Sequence, residues 1–444
     1  MSIVYGLIGL GLIVFIHELG HFVAARLCGV EVETFSIGMG PVLLRKKITN
    51  TEYRLSLLPL GGYCGMKGEH AFQEAIDNNL DSIPKEKNSF YGVHPTKRAI
   101  IAFSGPFFNF LFAIIALSIV AGIGYSYYTT SNKIILSDEV NSNSESPARK
   151  AGLQTGDKII SVNGKSTPYF SSIAQEISLN AKQPLLLEIE RNLVKKTIAI
   201  TPLLDTETGA GKIGITNWID PVISSTTENS GAASIGLKNG DIITKIDNLS
   251  IHNTIDVRNA IKNKSTINIT WIRDGITMSS PLTLNDGKAG IIFKIEKIHT
   301  PNYNIVQAIE HGIIDTFDMF TITIKSLGLL FKGVDITKAV SGPIRITVML
   351  GESTQEGFTA GFSTGIITVC NFLAIISISL FLMNLLPIPI LDGGLILFAI
   401  IEWIHGKQIH PKTVYKFQFI GIAFIAFIFI FALFGDIRYL IMGN

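Results

Sequence analysis

The chain has 444 residues, 47% of them hydrophobic and 16% charged, with a mean hydropathy of +0.39 and a formal net charge of +2. That balance is too apolar for an ordinary soluble protein and too weakly basic for a nucleic-acid binder, which would also need Lys/Arg clusters interleaved with aromatics. Three scattered cysteines without CxxC spacing exclude a disulfide framework and a zinc–cysteine site.

Residues 1–28 read as a first transmembrane helix, apolar from Ile3 and uncharged until Glu18, with His-Glu-Leu-Gly-His at 17–21. The segment has no basic n-region and would lose its ionisable residues on cleavage, so it is a retained span rather than a signal peptide. On a helix, His17 and His21 lie one turn apart on one face, where two imidazoles can meet one cation, and Glu18 lies beside them to hold a water. A catalytic zinc takes three protein ligands, so at least one is still to be found. Ionisable groups at membrane depth are costly, and this placement points to hydrolysis within or at the edge of a bilayer.

Residues 29–98 carry nine Lys or Arg close to flanking spans, which predicts a cytoplasmic loop. Within it TFSIGMGPVLL and YRLSLLPLGGYCGM predict a membrane-associated β-hairpin. Residues 99–128 form a second span, in which Asn109 is either interhelical glue or a site-lining polar group, with no catalytic role assigned. Residues 129–208 and 209–296 contain an internal repeat: SPARKAGLQTGDKIISVNGK is echoed by SGAASIGLKNGDIITKIDNLS, each with a helical turn, a Gly-Asp turn and an alternating strand. These copies resemble PDZ modules in the permuted form of bacterial envelope proteases. Neither shows a clear Gly-Leu-Gly-Phe carboxylate loop, so a steric filter and a peptide-binding role both stand open.

Residues 297–356 predict an amphipathic helical segment with Ile305, Ile309, Ile313, Phe317 and Phe320 at helical spacing, a packing face or a membrane anchor and a candidate clamp or lid. Residues 357–404 form a third span carrying NLLPIPILDGG at 384–394. Asp392 is the only acidic residue between Gly357 and Ala399 and the natural third metal ligand. Pro387 and Pro389 interrupt the helix, while Gly393 and Gly394 let the backbone turn and approach closely. Residues 405–444 supply a short cytoplasmic loop and a fourth span. At 1.5 Å per residue His17 lies roughly 21 Å from Ile3, in the inner half of a ~30 Å core, and this topology brings Asp392 to the same level.

HELGH in the first span, FSGPFFNF at 103–110, the two PDZ-like copies, SGPIRI at 341–346 and NLLPIPILDGG together resemble the intramembrane site-2 metalloproteases, most closely the bacterial sigma-E-regulating type. The resemblance implies an α-helical integral membrane protein with four transmembrane helices, a cytoplasmic membrane-associated β-hairpin region and two tandem periplasmic PDZ-like α+β domains in the bacterial inner membrane. It further implies Zn2+ held by His17, His21 and Asp392, with Glu18 as general base. Asn384 would orient substrate, or else serve a helix–helix hydrogen bond. The β-region would present an edge to an unwound substrate, or only anchor the loop. Expected partners are single-pass membrane proteins of the anti-sigma-factor type or signal-peptide remnants, cut after a first periplasmic cleavage, together with membrane lipid and peptides at the PDZ-like domains. Two rival readings are a membrane-tethered PDZ scaffold with a structural metal and a metal or solute transporter. The intact Glu18 argues against the first, and the two soluble modules against the second.

Overall fold

The computed structural model describes residues 2–140, 146–206, 208–330 and 342–442; residues 331–341 of the segment 297–356, including Ser341 of SGPIRI, lie outside the described residues. The chain forms two compact units, one of Met1–Tyr125, Thr300–Leu327 and Ile336–Asn444, the other of Ser126–His299 with Gly328–Asp335.

The first unit opens with helix α1 (Ser2–Cys28), strands β1 (Val32–Ile48) and β2 (Thr51–Met66), and helices α2 (Glu69–Asp77) and α3 (Pro95–Ile123). The hairpin expected at 34–68 is more folded than two strands. Phe35 stands opposite both Tyr53 and Cys64, and Tyr53 opposite both Phe35 and Lys46, so the two long strands bend into four segments. Residues 34–37 lie in the middle, with 62–65 at one edge and 44–48 at the other. Glycines at 38, 40 and 61 with positive φ permit those bends. The second span begins earlier than the sequence suggests. Arg98 lies inside α3, and the chain leaves the helix at Gly124.

The second unit contains two modules built alike. In the first, α4 (Pro147–Lys150) precedes β5 (Lys158–Val162) and β6 (Lys165–Ser166), then α5 (Phe170–Ser178), β7 (Leu185–Arg191) and β8 (Val194–Ile200). In the second, α6 (Gly231–Ser234) precedes β13 (Ile242–Ile246) and β14 (Leu249–Ser250), then α7 (Thr254–Ile261), β15 (Thr266–Arg273) and β16 (Ile276–Thr283). The sheet orders are β6-β5-β7-β8 and β14-β13-β15-β16. Short strands complete the modules. They are β3 (Ser126–Thr129), β4 (Ile134–Leu136), β9 (Leu203–Leu204), β10 (Gly211–Lys212), β11 (Ile215–Asn217), β12 (Ile223–Thr226), β17 (Ile291–Phe293) and β18 (Glu296–His299). The Gly-Asp turns have the same purpose in both copies. Asp157 and Asp241 are each 1% exposed and accept a two-pronged guanidinium, Arg191 at 2.7 and 2.7 Å and Arg273 at 2.7 and 2.6 Å. Each carboxylate also accepts a backbone N–H, from Gln154 and Lys238, at 2.8 Å. A buried charge satisfied on every side is tolerated, and here it staples the turn to the far strand. Separate apolar cores lie beneath the two sheets, around Ile159, Leu187 and Ile189 and around Ile243, Ile269 and Trp271.

The chain returns to the first unit with α8 (Ile305–Leu330), α9 (Pro343–Ala360), α10 (Phe362–Asn384), α11 (Asp392–His405) and α12 (Pro411–Met442). Among the described residues four helical stretches are long and apolar enough to cross a membrane: Ile3–Cys28, Pro95–Ile123, Phe362–Asn384 and Pro411–Arg438. Large apolar side chains such as Ile115, Phe419, Phe427 and Phe434 stay exposed along them, as lipid contact allows. The stretch 357–404 is divided more finely than one interrupted span. Gly361 ends α9, and residues 385–391 separate α10 from α11. On α8 the expected stripe divides: Phe317 and Phe320 set their rings against Phe110 of α3, with centroids 5.5 and 6.3 Å away, while the isoleucines do not form the packing face. Ala308, Gly312 and Thr316 are buried, and a Cβ on Gly312 would meet the Ser118 amide nitrogen of α3 at 2.7 Å, while Ile305, Ile309, Ile313 and Phe317 are exposed. Small residues let two backbones approach closely where apolar surroundings supply no hydrophobic drive. The start of α9 is held by Asp436 of α12, fully buried, whose carboxylate accepts from the backbone N–H groups of Gly342, Ile344 and Arg345 at 2.8, 2.9 and 3.2 Å. This explains the Gly-Pro of SGPIRI: the helix donates its free amides to a distant carboxylate that a side chain at 342 would displace.

Candidate metal centre

Helix α1 delivers His17 and His21 from one face, and α11 delivers Asp392 from its first turn, where the helix dipole favours a carboxylate. The three side chains form a group whose ligand atoms all lie within 4.8 Å of one another. His17 Nε2 is 3.2 Å from Asp392 Oδ2 and 3.2 Å from His21 Nε2, and His21 Nε2 is 3.4 Å from Asp392 Oδ1. Ligands held 2.0–2.1 Å from a tetrahedral ion stand roughly 3.3–3.4 Å from one another, so these separations suit a zinc-sized cation.

The surroundings orient these side chains. His21 Nδ1 lies 2.8 Å from the Ile101 carbonyl, which can only accept, so Nδ1 carries the ring proton and donates it, leaving Nε2 as the basic nitrogen facing Asp392 and His17. The Ile101 carbonyl also accepts from Ser104 Oγ at 2.6 Å. His17 Nδ1 lies 3.4 Å from the Asn109 amide, a fully buried group. Gly105 leaves room for both rings: a Cβ there would sit 2.5 Å from His21 Cε1 and 2.9 Å from His17 Cε1. A Cβ on Gly20 would in turn meet the Ser104 carbonyl carbon at 2.8 Å, so α1 and α3 are as close as glycine permits.

Glu18 projects from α1 beside the histidines, half-buried, toward the edge segment 62–65 of the β-sheet; its Cγ would be 3.4 Å from a Cβ on Gly62. Asn384 closes α10 just before the break and is half-buried. The break folds back on α11. Leu391 donates to the Ile388 carbonyl at 2.9 Å, and a Cβ on Gly393 or Gly394 would run into the Leu385 carbonyl carbon or Pro389 Cα, each at 2.5 Å. The glycine pair is required by this close approach. Its φ angles are ordinary. Sequence reasoning missed Gly105 and the Ile101 carbonyl. The available signal was the Gly-Pro pair inside an otherwise uninterrupted apolar helix.

Two imidazoles and a carboxylate converging among apolar helices, beside a free glutamate, define a metal-dependent hydrolase built into a membrane protein. The comparison with known proteins is specific: the chain belongs to Peptidase family M50, the site-2 protease family, which it matches over residues 5–428. It is 42% identical to a protein of Treponema pallidum (strain Nichols) assigned as a zinc metalloprotease, over 99% of both chains. It is 31% identical to the regulator of sigma-E protease of Salmonella typhimurium (strain 14028s) and 28% to that of Haemophilus influenzae, over 97% of each chain. The enzyme is a zinc-dependent membrane metalloendopeptidase, and its donor set fits the ion.

Proposed function

We propose that this peptidase makes the second cut in regulated intramembrane proteolysis, cleaving single-pass membrane proteins of the anti-sigma-factor type, and signal-peptide remnants, after a first cleavage outside. The observation that carries the reading is the convergence of His17, His21 and Asp392 from two apolar helices, with Glu18 turned toward a sheet edge. His17, His21 and Asp392 hold the zinc. The ion supplies Lewis-acid polarisation of the attacked carbonyl and of water. Glu18 accepts the water proton and passes it to the leaving amine. The edge at 62–65 receives an unwound segment of the substrate as an added strand, which exposes a peptide bond that a helix would keep hydrogen-bonded. Asn384, at the mouth of the break, orients that segment.

The basic loop 29–98 favours a site on the cytoplasmic side of the inner membrane, with the two-module unit, a tandem PDZ-like pair, in the periplasm as part of an envelope stress response. A groove of about 630 Å3 between α7 and β17, with Lys262 and Lys288 beside Gly287 and Gly290, favours capture of an extended peptide end over a purely steric filter.

The test uses the purified full chain with a single-span substrate in proteoliposomes. Glu18→Gln should keep one zinc per chain and lose cleavage by on the order of 10²–10⁴-fold. Wild-type turnover by that variant would remove Glu18 from the mechanism.

A further inference from the structure

At the end of the first unit where α1 and α11 finish and α3 begins, a second polar site lies apart from the metal centre. It is a cavity of about 350 Å3 lined by Lys85, His94, Arg98, Trp403, Lys407 and Gln408, among others. Its floor is built from buried groups. Arg98, 6% exposed, pairs through Nη2 with Glu402 of α11, and Glu402 Oε1 accepts the Ile409 N–H at 3.2 Å, so that carboxylate is fully engaged. Arg98 Nε is nevertheless buried with no acceptor, and so is Gln408 Nε2, whose Oε1 takes the Ile83 N–H at 2.9 Å. Arg98 and Gln408 both line the cavity, and each keeps one donor beneath its wall that no protein acceptor satisfies. At the rim Lys85 and Lys407 are exposed, and among the described residues neither has an ion-pair partner. Trp403 and Ile404, 58% and 71% exposed, lie beside the opening, where an indole is suited to a membrane–water boundary.

We propose that this pocket binds a phosphate group, with Arg98 and Gln408 turning Nε and Nε2 into the cavity to donate to its oxygens and Lys85 and Lys407 balancing its charge, as the headgroup of an anionic phospholipid. The exposed Trp403–Ile404 face gives the acyl chains a path, which a free phosphate would not use. Because the floor joins α3 to α11, the occupant tightens the seat of the helix that carries Asp392.

The test compares the zinc-loaded full chain in nanodiscs of phosphatidylcholine alone, of phosphatidylcholine with phosphatidylglycerol, and of phosphatidylcholine with added inorganic phosphate. Native mass spectrometry and thermal melts are run on wild type and on Lys85→Glu/Lys407→Glu. Wild type should retain phosphatidylglycerol and melt higher with it, and the double variant should lose retention by on the order of 30-fold, at about fivefold per lysine, with its zinc content unchanged. A phosphate-only response abolished by the same variant would keep the anion site and assign it to the free ion. Equal retention and equal melting of wild type and variant in all three conditions would overturn the proposal.

Discussion

Replacing Gly105 by alanine is the sharpest single probe of the metal centre, because it adds one carbon where two ligands meet. The new Cβ would lie 2.5 Å from His21 Cε1, against the 3.4 Å at which ordinary van der Waals contact begins, so the ring must withdraw by about 0.9 Å. His21 has little freedom to do so, since its Nδ1 is tied to the Ile101 carbonyl and the opposing faces of α1 and α3 already touch at Gly20 and Ser104. Metal–nitrogen distances in working sites hold within about 0.2 Å, so a shift of this size removes a ligand. The strain costs roughly 1–3 kcal/mol of stability, which a bundle of this size survives. Gly105→Ala should therefore be a folded protein with little zinc. The assay is zinc by mass spectrometry on the purified full chain, alongside a thermal melt in detergent. Wild-type zinc content and affinity in a well-folded Gly105→Ala would refute the packing argument.

Four further outcomes follow from the same geometry. Asn109→Leu should weaken zinc binding by about 10–100-fold in a chelator competition, because a cation held at His17 Nε2 requires the proton on Nδ1, and the Asn109 amide beside it, whose Oδ1 is otherwise buried without a donor, can turn to accept it. Asp436→Ala frees three N–H donors at the start of α9 and should cost about 2 kcal/mol in a detergent melt. Arg273→Met leaves the Asp241 carboxylate buried and unpaired, which should cost about 3 kcal/mol and open the second module to protease first. Burial pushes the Asp241 carboxyl up, but the Arg273 guanidinium and the Lys238 N–H outweigh it, so its pKa lies below the ordinary carboxylate value. The carboxylate therefore stabilises the fold above the unfolded pKa of about 4 and stops doing so as pH falls through its lower folded value, so hydrogen-exchange protection factors in this module, the rates taken relative to the unfolded chain at the same pH, should fall only below about pH 4.

The grouping of His17, His21 and Asp392 was legible in the sequence because its chemistry is spelled locally, by helical spacing for the two histidines and by a lone acid beside a Pro-Gly break for Asp392, and the structure brings their donor atoms within 4.8 Å of one another. Apolar runs likewise marked the spans. Segments that depend on what packs against them were read less well. The stripe Ile305, Ile309, Ile313, Phe317 and Phe320 read as a packing face or a membrane anchor; its Phe end packs against Phe110, but its isoleucines are exposed and the close backbone approach runs through Ala308, Gly312 and Thr316. Arg98 counted as a loop cation by composition but is buried against Glu402, a partner 304 residues away that no local pattern announces. The doubled pairing of Phe35 and Tyr53 similarly comes from bends at glycines whose consequence is tertiary.

One physical rule connects these cases. In apolar surroundings helices gain little from burying larger apolar side chains, so what decides their seating is how closely backbones can approach and which polar groups they must satisfy. Here the contacts that converge on the metal centre are made at glycines: Gly20 and Gly105 between α1 and α3, and Gly393 and Gly394 where the break folds onto α11. The buried charges then fix the rest, with Asp436 capping α9 and Glu402 holding Arg98. A cavity-creating change at an apolar position such as Ile13, which packs against Leu350 and Leu373, should therefore lower stability while leaving zinc bound. A single methyl at Gly105 or Gly393 should instead empty the site, and swapping the two outcomes would contradict the rule.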